Sequence, residues 1–268
     1  MTPTADEIRE KSYVELLAML GESNLPPGGL GTVRDLVINL HLRPGIEALH
    51  AGCNAGFLSR EVARRSGCSV TGVDISPAMS EAAERRAAAE GLSPLVSHEC
   101  QDMRHLKFPD ESFDVVFSGG ALAFVLGHRE AVDEMVRVTK EFGLIGDTQL
   151  YYSQEPPASL LKLVGDIIEV PVPQYSREYW IDLYRIDALQ PYWRDDVETN
   201  AVSDAEVEAY ARSMVSRCAT SWSPAAQETL YERLHYVFSA FNENMKYLSC
   251  TNYVYRKAKP TSEPALFI

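Results

Sequence analysis

Apolar positions in the first twenty residues recur at helical spacing. Ile8, Val14, Leu16, Leu17 and Leu20 fall on one face, which predicts an amphipathic helix over residues 6–20. Gly21 stops it. The run Asn24-Leu25-Pro26-Pro27-Gly28-Gly29-Leu30-Gly31 suits neither helix nor central strand and reads as a loop. A second helix over 32–41 ends before Pro44-Gly45. From there the pattern alternates between short apolar runs and helical stretches. Strands are predicted at 46–50, 69–74, 95–100, 113–118 and 142–148. Helices are predicted at 56–66, 77–90 and 129–140. This order implies a parallel sheet with helices on both faces, joined by right-handed connections.

The C-terminal third has another texture. Residues 151–200 hold Tyr151, Tyr152, Tyr175, Tyr179, Trp180, Tyr184, Tyr192 and Trp193, broken up by prolines. Helices follow at 203–217 and 224–244, and 247–257 alternates like a closing strand. The expected organisation is one domain over residues 1–268. Residues 1–41 form N-terminal lid helices, 42–150 a ligand-binding core, 151–245 a helical, aromatic cap with the substrate region, and 246–258 the last strand.

Charge and cysteine content narrow the partners. The chain has 268 residues and a formal charge of −13. A field of that sign repels phosphate backbones and anionic lipid, so nucleic acid and membrane surfaces are not expected as partners. The cysteines Cys53, Cys68, Cys100, Cys218 and Cys250 are odd in number and show no metal spacing, which fits free thiols in a reducing cytoplasm and no metal site. The N-terminal residues lack the basic-then-apolar pattern of a signal peptide, and no apolar run approaches the roughly 18 residues of a membrane span. The sequence does not indicate an oligomeric state.

Chemistry concentrates at the strand ends. Ala48-Leu49-His50-Ala51-Gly52-Cys53-Asn54-Ala55-Gly56-Phe57 reads as strand, glycine turn and helix start. Asp74 closes the next strand, close to the roughly 20-residue spacing at which an acid reaches a ribose hydroxyl. An adenosine-containing ligand is therefore expected. Ligands of such sheets bind beyond the carboxyl ends of the strands, which gathers residues 50–56, 74–76, 102–103 and 118–121 around one cleft.

Four stretches in order resemble the class I S-adenosylmethionine-dependent methyltransferases over residues 32–150. They are the glycine turn; Val70-Thr71-Gly72-Val73-Asp74-Ile75-Ser76-Pro77; Gln101-Asp102-Met103 with Leu106 to Val116; and Glu134-Met135-Val136-Arg137-Val138-Thr139-Lys140-Glu141-Phe142-Gly143. The resemblance implies an α/β, doubly wound, mostly parallel seven-stranded sheet of Rossmann-like methyltransferase type. Its last strand is antiparallel, with 247–257 as the candidate. It implies S-adenosylmethionine as cofactor, Asp74 on the ribose hydroxyls and Asp102 on the adenine amine. Gly52, Cys53, Asn54, Gly56, Ile75, Met103, Ser118 and Gly119 would line the cofactor site. Tyr13 and Arg34, beside the Pro-Gly-Gly loop, are candidates for the cofactor carboxylate, which a guanidinium fork matches.

Two positions depart from the pattern. Asn54 stands where glycine is usual, and asparagine tolerates the left-handed region better than other side chains. His50 stands where an acid usually supports the cofactor ammonium. It is either a buried histidine bonded to backbone or a neutral base beside that amine. Tyr152 and Tyr175 are the aromatic candidates for the sulfonium, by cation–π attraction. The leading expectation is methyl transfer to a small molecule, in which the protein aligns the acceptor and excludes water. Two alternatives stay open. One is chemistry at the methionine γ carbon, either aminocarboxypropyl transfer or closure to azetidine-2-carboxylate with release of methylthioadenosine, motivated by His50. The other is a non-catalytic binding module.

Overall fold

The computed structural model describes residues 2–20 and 25–258. The expected stop at Gly21 and the loop start at Asn24 lie outside them. The predicted helix 6–20 is two helices, α1 (Ala5–Glu10) and α2 (Tyr13–Leu20). The break has a local cause. Lys11 is extended, and Ser12 caps α2 by accepting from the Glu15 amide at 3.2 Å, while Glu15 accepts from the Ser12 amide at 3.0 Å.

The core follows the predicted alternation: α3 (Gly29–Asn39), β1 (Glu47–Ala51), α4 (Phe57–Ser66), β2 (Ser69–Asp74), α5 (Pro77–Ala89), β3 (Val96–Cys100), β4 (Phe113–Phe117), α6 (His128–Val138) and β5 (Thr139–Tyr152). Ser76 caps α5 ahead of Pro77, whose missing N–H costs nothing in a first turn. After β5 come α7 (Ala158–Ile168), α8 (Arg177–Leu183), β6 (Leu189–Glu198), α9 (Asp204–Cys218), α10 (Pro224–Met245) and β7 (Leu248–Lys257).

The sheet order is β3-β2-β1-β4-β5-β7-β6. Pairings from β3 through β5 are parallel. β7 is antiparallel to both of its neighbours, as expected for 247–257. One strand was not foreseen. Residues 189–198, expected within the cap, form the edge strand β6 of the main sheet. Pro191 and the polar run Arg194-Asp195-Asp196 hide the alternation. An edge strand tolerates both, and the ladder shifts register at Pro191/Trp193.

Side chains alternate between two buried layers. Leu49, Ala51, Val116, Ile145 and Tyr253 pack with α6 and α8, and Ala48, Val70, Val115, Phe117 and Val254 pack with α3 and α4. The first layer holds a buried polar centre. Asp147 is 0 % exposed and accepts from the hydroxyls of Tyr184 at 2.9 Å and Tyr253 at 3.1 Å, and from the Gln149 amide. Burial nevertheless pushes its carboxyl up to about 6.

An acid whose folded pKa lies above its unfolded value of about 3.9 binds more protons when folded. Stability therefore falls as pH rises from about 4 to about 6, and the cost is complete above that. Two pKa units correspond to about 3 kcal/mol. Asp147→Asn is expected to remove this dependence. Urea unfolding at pH 5 and pH 8 should show the variant gaining on the parent at the higher pH, and an equal difference at both pH values would refute the assignment.

Candidate active site

The glycine turn follows β1 directly. The amides of Gly52 and Cys53 both donate to the Val73 carbonyl, at 2.9 and 2.8 Å, tying the turn to the end of β2. Gly52, Asn54 and Gly56 have φ of 73°, 49° and 76°, so the asparagine takes the left-handed conformation expected of it. Its side-chain oxygen accepts from the Ala55 amide at 2.6 Å. Neither glycine has room for a side chain. A Cβ on Gly52 would lie 2.1 Å from the Ala121 Cβ, and one on Gly56 would lie 2.6 Å from His98 Nε2.

Asp74 closes β2 and binds both flanking loops. Its Oδ2 accepts from the Asn54 amide at 2.8 Å and its Oδ1 from the Ser76 amide at 2.9 Å. Burial raises its pKa, against these two bonds. Each carboxylate oxygen keeps a lone pair for a further donor, which suits a pair of vicinal hydroxyls. Ile75, next to it, is 66 % exposed. Met103 is buried, with its Sδ 3.9 Å from where a Cβ on Gly52 would stand, so the first and third motifs meet. Ser118 is fully buried at the end of β4, and Gly119 lies under Pro26 and beside His50.

Two other candidates already have partners. Asp102 does not face the cleft unengaged. Arg104 grips it, with Nη2 2.6 Å and Nε 3.0 and 3.1 Å from its oxygens, and this pair holds the carboxyl below its usual range. An adenine amine would have to share that carboxylate with the guanidinium. Arg34 points to solvent and pairs with Asp35 at 3.0 Å. The face of α3 carrying Val33 and Leu36 is the buried one, so Arg34 is turned away from the turn.

Tyr13 is 6 % exposed and packs with Ala55 of the turn, Met79 and Phe241, which places α2 against the glycine loop. Cys53 is buried, and burial raises its thiol well above the usual value. Tyr152 and Tyr175 share a backbone bond at 3.3 Å, but their rings part. The Tyr152 hydroxyl donates to Asn244 at 3.0 Å, while Tyr175 stacks on Tyr179 at 4.2 Å.

His50 is 2 % exposed, bonded through Nδ1 to the Ser59 hydroxyl at 2.7 Å, and stacked on Phe117 at 4.7 Å. Burial, with His98 nearby, pushes it down to about 3. The partner is a side chain rather than backbone, and the ring stays neutral. Its burial and the Ser59 bond favour the neutral ring.

Several residues were not foreseen. Arg104 lies two positions from Asp102, a spacing that could have signalled the pair. His98, under the turn, bonds Glu84 at 3.1 Å, and its Nε2 is buried without a partner among the described residues. His128 and Tyr179 are 51 positions apart and meet at 2.6 Å, which no local pattern signals. Two cavities lie elsewhere. One of about 250 Å³ sits against His41, Lys140 and Arg256 at the opposite end of the sheet, and one of about 630 Å³ lies beside α7. Among the described residues no cluster could hold a metal, and no helix is long and apolar enough to cross a membrane.

Residues 49–145 match the model of a methyltransferase domain family. The chain is 27 % identical over 171 residues to an uncharacterized protein of Haemophilus influenzae, covering 63 % of this chain and 68 % of that one. It is 35 % identical over 192 residues to phosphoethanolamine N-methyltransferase 1 of Arabidopsis thaliana, covering 72 % of this chain but 36 % of that enzyme. The crystal structure of MccD protein superposes with a TM-score of 0.73 at 23 % identity, over 87 % of this chain and all of the other. The turn, the strand-end acid and the seven-stranded order accord with the methyltransferase-domain match over residues 49–145, and the likeness to the solved structure is one of fold. S-adenosylmethionine is the cofactor of such domains.

Proposed function

We propose that the chain transfers a methyl group from S-adenosylmethionine to a small-molecule acceptor. The observation that carries this reading is Asp74, which closes β2 beside the glycine turn and is held there by two backbone amides, one of them from the turn itself. When bound, the cofactor supplies an electrophilic methyl. The chain's own residues bind and orient. Asp74 takes the ribose hydroxyls, and Gly52 and Gly56 let backbone approach the ligand. Ile75 and Met103 offer apolar surface to the adenine, and Asp102 reaches its amine only beside Arg104. Ser118 and Gly119 border the far side, and Tyr13 packs the lid onto the turn. Residues 1–41 serve as that lid and 151–245 as the substrate cap, apart from β6. Alignment of the acceptor and exclusion of water are the first catalytic tasks of the protein.

The relatives named above include an N-methyltransferase, which favours acceptors with amine or hydroxyl groups. Chemistry at the γ carbon draws no support from His50, whose burial keeps it from acting as a base.

The test is incubation of the purified protein with S-adenosylmethionine, alone and with a panel of small amines and phenols, followed by mass spectrometry. S-adenosylhomocysteine that rises only with an acceptor is expected. Methylthioadenosine formed without an acceptor would overturn the reading.

A further inference from the structure

The sheet order fixes where an acceptor must lie. The turn follows β1, Asp74 ends β2 and Asp102 follows β3, so the adenosine end of a cofactor occupies the β3-β2-β1 side. With the adenosine end on that side, the reacting end would lie toward β4 and β5, the next strands in the sheet. At the carboxyl ends of those two strands stands a hydrogen-bonded pair, His128 at the start of α6 and Tyr179 in α8, with Nδ1 and hydroxyl 2.6 Å apart.

The pair is tied to the cofactor side. His128 opens α6 seven positions after Ala121, the residue that a Cβ on Gly52 would meet. Arg104, which grips Asp102, also donates to the Leu126 carbonyl at 3.0 Å, two positions before His128. On the other side Tyr175 stacks on Tyr179, and its carbonyl accepts from the Tyr152 amide at the end of β5.

With the ring protonated at Nε2, Nδ1 accepts from the Tyr179 hydroxyl, and this is the tautomer that the relay uses. His128 is 8 % exposed while Tyr179 is 36 % exposed, so the histidine is shielded and the tyrosine faces outward. We propose that Tyr179 and His128 form a proton relay that deprotonates the acceptor of the methyl group, which marks the acceptor as a hydroxyl or amine that loses a proton. This rests on the methyl-transfer reading.

The balance is closed. The acceptor lone pair forms the new bond to the methyl carbon as the bond to sulfur breaks and its electron pair returns to sulfur. The acceptor proton passes to the Tyr179 oxygen, and the Tyr179 proton passes to His128 Nδ1. The positive charge lost at sulfur reappears on the imidazolium, which returns its proton to water. Burial holds His128 below its usual value and Tyr179 above its own, so both are neutral at the start. The titratable neighbours are Tyr175 and Arg129, and the Arg129 guanidinium favours the phenolate.

A second histidine–tyrosine pair, His41 with Tyr192 at 2.6 Å, sits at the opposite end of the sheet and serves as a control. The experiment follows acetylation of individual tyrosines by N-acetylimidazole, read by peptide mass spectrometry on the intact protein. Tyr179 is expected to react at least tenfold faster than Tyr210 and Tyr236, which are 48 % and 55 % exposed. The excess should vanish in His128→Asn. Saturating S-adenosylhomocysteine should slow Tyr179 and leave Tyr192 unchanged. Equal rates for Tyr179 and the exposed tyrosines in the parent protein would overturn the relay without any variant. So would a Tyr179 rate indifferent to S-adenosylhomocysteine that calorimetry shows to be bound. Calorimetry showing no binding at all would instead strike the methyl-transfer reading itself.

Discussion

Asp74→Ala is expected to weaken S-adenosylhomocysteine binding by at least about 100-fold, measured by titration calorimetry. The carboxylate holds two backbone amides, one on the glycine turn and one at the start of α5. Hydrogen bonds to a charged group contribute about 1.5–3 kcal/mol each. Losing the ribose contacts while the turn loosens therefore exceeds about 3 kcal/mol, and every 1.4 kcal/mol is about tenfold. Asp74→Asn should fall between. Its amide group would face one of the two N–H donors, so one anchor survives. Asp102→Asn should weaken binding by less than about tenfold, because Arg104 already engages that carboxylate. An Asp102 effect equal to that of Asp74 would mean that the guanidinium lets go when the cofactor arrives.

Gly56→Ala is expected to destabilise the fold strongly for a single added methyl. The residue sits at φ 76°, where a Cβ costs about 1–2 kcal/mol. The new atom would also stand 2.6 Å from His98 Nε2 and 2.8 Å from the Ala83 Cβ. Both are buried, His98 against Glu84 and Ala83 inside α5, so neither yields freely. Overpacking adds about 1–3 kcal/mol. At roughly 2–4 °C per kcal/mol for a chain of this size class, the melting temperature should fall on the order of 10 °C. Gly91→Ala is the control. It shares a positive φ of 69° but has nothing within 4 Å, so only the backbone cost should appear. Equal losses in the two variants would show that crowding under the turn contributes nothing.

The contrast between Asp74 and Asp102 also shows what the sequence made legible. Asp74 acts on its own neighbours in the chain, through strand, turn and helix start, and the spacing of those elements could be read directly. Asp102 matches its motif equally well. Its role is decided by Arg104, a side chain whose direction no motif records. Arg34 raises a related point. Its position beside the loop was visible, but the face it occupies on α3 is set by Val33 and Leu36 packing inward. The parallel core was readable because its central strands β1 and β4 are buried on both faces and alternate with helical stretches. β6 was not, because an edge strand can carry Pro191 and charged residues and so resembles a loop. His50 was visible as an oddity, and only its burial against Ser59 and Phe117 decides that it stays neutral.

The position of β7 carries a consequence for the order of assembly. Leu248–Lys257 lies between β5 and β6 in the sheet although it follows both in the chain. β6 has no other partner, so it waits without a ladder until residues about fifty positions later arrive. The Asp147 centre waits too, since Tyr253 supplies one of its hydroxyls. During synthesis the first five strands can form a sheet whose β5 edge stays open through the whole of α7 to α10. Closure of that edge is a long-range step, and such steps are slow and expose strand edges to wrong partners. The final strand is thus the clasp of the fold, and the half-finished sheet is the species that a chaperone would most usefully hold.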